Sequence, residues 1–257
     1  MMDLPEGYTN TFDEIFRLVE QKGVLALKPD EGSHGDGFYK FTYEDGKYQL
    51  NYQDVTKQQV LDILEDINNQ YLVTEYINMC DELKAVYDGA VNTVRMIVFK
   101  KDGKNPQIGN AYVRFGSKKT GAVDNVGAGG MTATIDVATG HFHDAKIVMN
   151  NSIEDCPIHP DTGVPIDGYL PHWEQVKQQV LDVTKSIKQL EFFGVDLAVT
   201  NDGIKFPEIN RFPDYPAVEK YTKPTREYLL YKLAGKKHHY GYDVTPNKTL
   251  VHLPKRD

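Results

Sequence analysis

Apolar and polar positions change period several times along the chain, and each change marks an element. Phe12, Ile15, Phe16 and Val19 recur at helical spacing with Asp13, Glu14, Arg17 and Glu20 mostly opposite, which predicts an amphipathic helix over 11–22 closed by Gly23. The apolar run 24–28 predicts a buried strand that delivers Lys28 to its end. A glycine-rich turn follows and leads into alternating strands up to 43 and over 47–52, separated by Glu44-Asp45-Gly46. Thr56 caps a predicted helix over 57–68, residues 71–77 read as a buried strand, and 93–100 and 108–115 read as two more. A glycine-dense loop over 124–130 precedes a strand over 131–137 and a short extended piece from His141. Residues 150–168, with Pro157, Pro160 and Pro165, read as an irregular surface excursion. The longest predicted helix, 173–190, carries Val176, Val180, Val183, Ile187 and Leu190 on one face and runs into a hairpin over 194–210 turned by Asn201-Asp202-Gly203. A last helix is expected near 225–233, and the tail from Lys236 shows little pattern.

Composition narrows the function classes. The chain has 257 residues, 40% hydrophobic and 26% charged, with a formal net charge of −8, which argues against nucleic acid as its main partner. Cys80 and Cys156 are the only cysteines and lie far apart, so a reducing compartment, the cytoplasm, is the simpler reading. No apolar run reaches membrane-spanning length, and no membrane span is expected. His141 and His143 share a strand face with no third ligand nearby, which favours a surface pair over a metal site.

Three patterns carry chemistry. In the 194–210 hairpin, Asp196 comes near Glu208 and Asn210, and the last two leave the strand on one face. Two carboxylates and an amide oxygen form a hard-oxygen set suited to Mg²⁺, although a merely polar hairpin gives the same pattern. Upstream, Gly32, Gly35 and Gly37 let the backbone approach an anion closely while Lys28 supplies a compact positive charge. No Gly-Lys-Ser/Thr opens a helix there and a strand follows, so this is neither a Walker loop nor a dinucleotide fingerprint. Arg95 lies within an apolar strand and needs an anionic partner, which a phosphate or an internal carboxylate would supply equally well.

Taken in order, Lys28-Pro29-Asp30-Glu31-Gly32-Ser33-His34-Gly35, Val91-Asn92-Thr93-Val94-Arg95, Asp124-Asn125-x-Gly127-x-Gly129-Gly130 and Asp196…Glu208-x-Asn210 resemble the ATP-grasp superfamily. Within it they look most like the sugar-transfer-associated and teichuronopeptide-type proteins of bacterial surface-polysaccharide gene clusters. The resemblance covers roughly residues 20 to 215. It implies an α+β ATP-grasp fold, two subdomains with largely antiparallel sheets clamping a nucleotide, here divided as 1–22, 23–77, 78–235 and a tail from 236 to 257.

The resemblance also implies roles. Lys28 contacts the α- and β-phosphates of ATP, and the loop of Glu31, Gly32, Ser33, His34 and Gly35 closes over the β- and γ-phosphates. Glu75, Tyr76 and Ile77 form the adenine hinge, and Glu82 stands where the ligases place a ribose-binding acid. Asp196, Glu208 and Asn210 hold Mg²⁺, Arg95 and Arg114 stabilise the transferring phosphoryl group, and the loop with Asn125 and Gly129 contacts bound molecules, the acceptor among them. The implied reaction is a carboxylate–amine ligation through an acylphosphate, on a sugar acid or amino acid. The alternatives are a kinase acting on a hydroxyl and a nucleotide-binding subunit without catalysis. Family members usually carry a preceding domain, so a partner chain, a second subunit or the 141–170 region is expected to stand in for it.

Overall fold

The computed structural model describes residues 11–30, 35–65, 71–100, 103–149, 152–211, 213, 238–239 and 242–243. Its first sheet has five strands, β1 (Val24–Pro29), β2 (Tyr39–Glu44), β3 (Lys47–Leu50), β4 (Gln53–Val55) and β5 (Tyr71–Glu75), in the order β4-β3-β2-β1-β5 with every pair antiparallel. Helix α1 (Phe12–Lys22) packs on it through Ile15, Phe16 and Val19, which join Leu25, Leu27, Phe41, Tyr48, Leu50 and Val60 in one core. Phe12, expected on the buried face, is exposed at the first position of the helix. Gly23 ends α1 at φ 78°.

Helix α2 (Lys57–Leu64) begins with a capping box in which Thr56 accepts from Gln59 N and Gln59 answers to Thr56 N. The sequence reading extended this helix to Asn68; it ends at Leu64, and 66–68 lie outside the described residues. The strand expected to run through Tyr52 instead turns at Asn51 and Tyr52, both at positive φ, and returns as β4. Strand β5 was expected to be buried, but it is an edge strand whose Leu72 is 57% exposed.

The second sheet has eight antiparallel strands, in the path β10-β9-β8-β7-β6-β12-β13 with β11 paired to β9. They are β6 (Val94–Lys100), β7 (Pro106–Phe115), β8 (Met131–Ile135), β9 (His141–Met149), β10 (Ser152–Asp155), β11 (Gly168–Tyr169), β12 (Phe192–Thr200) and β13 (Gly203–Asn210). β6 lies between β7 and β12 inside the sheet, and all seven of its residues are buried. The core beneath gathers Met96, Val98, Val113, Phe115, Phe142 and Val195, and closes on Trp173, Val176 and Val180 of α4 (Trp173–Ser186). That helix stops at Ser186 because Ile187 is extended, and Val183, expected on its buried face, is 39% exposed.

Two further expectations change. A short helix, α3 (Asp81–Val86), stands where no element was read. The 150–168 segment is no loose excursion: it contributes β10, an Ile158–Pro165 bridge, buried Ile166 and a fully buried His159. His159 Nε2 lies 2.9 Å from Gly116 O and its ring stacks on Tyr87 at 4.7 Å, so the segment is pinned to the start of the 116–130 loop. The helix expected at 225–233 lies outside the described residues. In the tail, β14 (His238–His239) pairs with β15 (Tyr242–Asp243). No helix among the described residues is long and apolar enough to cross a membrane.

Candidate functional site

A cleft of about 1310 Å³ opens between the two sheets. The first sheet contributes Ala26 and Lys28 from β1, and Leu72, Thr74 and Glu75 from β5. Tyr76, Ile77 and Asn78 line it where the chain crosses from β5 toward α3. Arg95, Tyr112, Arg114 and Thr132 rise from the second sheet, Val123 to Gly127 come from the loop, and Asp196, Phe206, Glu208 and Asn210 come from the hairpin. Two contacts join the walls. Tyr52 Oη donates to Gly89 O at 2.6 Å, and a Cβ at Gly35, whose φ is 79°, would come within 2.8 Å of Val123 Cγ1.

The hairpin forms as its pattern implies. Asp196 pairs in register with Glu208, and Gly194 with Asn210. A bulge after Asp196 shifts the register beyond it. The turn is held from outside, since Asn201 Oδ1 accepts from Asp81 N at 3.1 Å and Cys80 N donates to Val199 O at 2.7 Å. The hairpin end and the start of α3 are thereby tied together beside residues 75–78.

Asp196 is 4% exposed and sits among arginines. Arg95 meets it with two donors, Nε to Oδ1 and Nη2 to Oδ2 at 2.7 Å, and Arg114 Nη2 lies 3.2 Å from Oδ2. The strand pairing explains the first contact, because Asp196 and Arg95 are register partners on β12 and β6. A buried carboxylate without partners costs several kcal/mol, so this fork is a condition of burying the charge at all. Burial alone would raise the Asp196 carboxyl, but the hydrogen bond from Arg95 and the charge of Arg114 outweigh it and hold it below the usual carboxylate range. Arg114 is in turn held by Thr93 Oγ1, 3.0 Å from its Nε, and by Asp124 Oδ2 at 3.5 Å. Two guanidiniums thus face two carboxylates.

Asn210 is best oriented by its contacts, with its amide nitrogen donating to Glu208 Oε1 at 2.9 Å and its oxygen accepting from Arg95 Nη2 at 3.2 Å. Among the described residues no group of three or more His, Cys, Asp and Glu side chains is placed to hold a metal. The hairpin offers two carboxylates and one amide oxygen. That donor set is all hard oxygen, but both Asp196 oxygens and the Asn210 oxygen already accept from Arg95 and Arg114, so Glu208 is its least committed member and a cation there would take most of its shell from phosphates and water.

Lys28 is exposed at the end of β1 and makes no ion pair among the described residues. Glu75 lines the cleft, and its carboxylate pairs with Lys22 Nζ at 2.6 Å. Burial pushes the Tyr76 phenol well up, and Lys40 Nζ stands 4.9 Å from its ring centre. Cys80 is buried at the start of α3, and burial pushes its thiol up to about 11, so it offers no nucleophile near neutral pH.

Of the residues singled out in the sequence, Lys28, Gly35, Glu75, Tyr76, Ile77, Arg95, Arg114, Asn125, Asp196, Glu208 and Asn210 share the cleft. Glu31, Gly32, Ser33 and His34 lie outside the described residues. Two candidates are not brought in. Glu82 is exposed on the first turn of α3, whose buried face is Leu83 and Val86, and it does not line the cleft. Gly129 closes the 3-10 turn over 126–128 at φ 108° and packs against the Lys119 stem. Asn125 spends its side-chain oxygen on Gly127 N at 2.9 Å. Thr93 and Asp124, present in the sequence motifs without a role, also line the cleft, as do Tyr112, Lys205 and Phe206, which no sequence pattern singles out. Asp124 was in view as the head of the Asp-Asn-x-Gly segment, but its pairing with Thr93 left no local signal.

Comparison with known proteins finds a family and partial matches among solved structures. Two solved structures of D-alanine--D-alanine ligase from Bacillus anthracis resemble the chain. The first is 12% identical with a TM-score of 0.39, and covers 84% of this chain and 51% of the ligase chain. The second, complexed with ATP, is 10% identical with a TM-score of 0.41, and covers 87% and 53%. This chain spans about half the length of those ligase chains. No curated protein matches it in sequence. The model of sugar-transfer associated ATP-grasp proteins matches residues 5–217, and the chain belongs to that family.

Proposed function

We propose that this chain is an ATP- and Mg²⁺-dependent ligase that joins a carboxylate to an amine through an acylphosphate, acting on a sugar acid or amino acid destined for a surface polysaccharide. The observation that supports this reading best is the joint placement in one cleft of Lys28, the 75–77 crossing, Arg95 with Arg114, and the oxygen donors of the hairpin. The first sheet with α1 and α2 acts as the smaller lobe, and the second sheet as the larger.

Lys28, which has no ion pair among the described residues, supplies positive charge for phosphate oxygens at the mouth of the first sheet. The backbone of residues 75–77 meets the base edge-on, with Leu72 and Phe206 as apolar walls. Asp196, Glu208 and Asn210 would hold the metal, which supplies charge neutralisation on the phosphates. A substrate carboxylate oxygen attacks the γ-phosphorus and ADP departs; an amine then attacks the acyl carbon and phosphate departs. Arg95 and Arg114 stabilise the charge that develops on the transferring group, and such preorganised donors are worth about 10²-fold or more in rate.

A screen of ADP release with Mg²⁺ over sugar acids, amino acids and sugar alcohols tests the reading, followed by the mass of the product. A ligase releases ADP only when a carboxylate and an amine are both present, and its product weighs the sum of the two less one water. ADP release with a single hydroxyl compound that gains one phosphoryl group would make the protein a kinase and overturn the ligase assignment.

A further inference from the structure

We propose that Thr93 and Asp124 are positioning residues that aim the Arg114 guanidinium at the transferring phosphoryl group, an inference that rests on the phosphoryl-transfer reading above. Thr93 immediately precedes β6 and is tied to β7, where Arg114 N donates to Thr93 O at 2.8 Å. The Thr93 hydroxyl is used on both sides. It donates to Asp124 Oδ2 at 2.5 Å, and it accepts from Arg114 through Nε at 3.0 Å and through Nη2. Thr93 N donates to the same Asp124 oxygen at 2.8 Å.

A hydroxyl has one proton, and spending it on Asp124 turns its lone pairs toward Arg114. Asp124 thereby sets the direction in which Thr93 accepts. These contacts, with the Asp196 Oδ2 approach of 3.2 Å, use Nε and Nη2 of Arg114. Nη1 has no partner among the described residues, and Arg114 lines the cleft. The guanidinium is planar, so fixing one edge fixes where the remaining N–H groups point. Arg95 differs: it meets Asp196 through a two-donor fork and needs no hydroxyl between. Asp124 heads the loop that carries Val123, Asn125 and Val126 into the cleft, so the pivot that orients Arg114 is built into the wall beside it.

The test measures binding by calorimetry with two probes on the full chain, Mg·ATP and Mg·ADP with aluminium fluoride, the latter imitating a phosphoryl group in transfer. Thr93→Val removes the hydroxyl at nearly constant volume, Thr93→Ser restores it, and Asp124→Asn keeps the shape of the orienting group. Thermal unfolding of each ligand-free variant reports folding. Thr93→Val and Asp124→Asn are expected to bind Mg·ATP within a few-fold of the wild type but to lose about tenfold or more of the fluoride-dependent tightening of ADP, with Thr93→Ser recovering it. Equal tightening in wild type and Thr93→Val overturns the proposal, as does a folded wild type that binds Mg·ATP yet shows no tightening. Wild-type protein that fails to bind Mg·ATP at all sinks the nucleotide reading itself and this proposal with it.

Discussion

Gly194 lies beneath the stem of Arg95: a Cβ built at residue 194 would come within 3.0 Å of Arg95 Cδ and 2.7 Å of Pro213 Cβ. The missing side chain on β12 is what lets an arginine from β6 cross over and reach Asp196, two residues further on. Gly194→Ala should therefore overpack the floor of the cleft and push Arg95 aside, at a cost of roughly 1–3 kcal/mol. The melting temperature should fall and ADP release should drop with it. An alanine variant as stable and as active as the parent would show that Arg95 has room to spare.

Asp196 should govern the acid limb of stability. Its folded pKa is depressed, so its contribution is fully present above the unfolded value of about 3.9 and is lost as pH falls through the folded value. Asp196→Asn leaves two guanidiniums without that charge, and roughly 3–5 kcal/mol of stability at neutral pH should go. Denaturant melts of both proteins from neutral pH down to pH 3 provide the check. The two curves should converge toward the acid end, and parallel curves throughout would remove Asp196 from the acid response.

Glu208 is the cleaner probe of the metal. It is exposed, pairs in register with Asp196, and its carboxylate accepts from the Asn210 amide. Glu208→Gln should leave the ligand-free unfolding free energy within about 0.5 kcal/mol of the parent, as exposed substitutions usually do. The extra thermal protection that Mg²⁺ gives in the presence of ATP should largely disappear. Undiminished protection would take Glu208 out of the metal shell.

How much of this was legible follows from what each signal depends on. The 194–210 hairpin is readable because an apolar run, a polar turn and an alternating return sit next to one another, so local pattern and register agree. Lys28 was readable for the same reason, at the end of a short buried run. The Arg95 partner was open between phosphate and carboxylate because the answer lies 101 positions away, in Asp196. Helix α3 was missed since six residues give one and a half turns, too few for a period to show. The 150–168 segment was misjudged because its prolines read as looseness, whereas His159 and Ile166 dock it onto the core. The resemblance implies a ribose-binding role for Glu82, whereas the first turn of α3 leaves it exposed and outside the cleft lining, which no local pattern signals.

The most direct measurement is calorimetric titration of ATP, with and without Mg²⁺, into the parent protein and Lys28→Ala. Lys28 is exposed and has no ion pair among the described residues, so its loss should not disturb the fold. The parent is expected to bind one nucleotide per chain, more tightly with Mg²⁺, and Lys28→Ala to bind about tenfold or more weakly, as the loss of a phosphate-paired charge implies. No binding by the parent, or equal binding by Lys28→Ala, would contradict the assignment of this cleft to ATP.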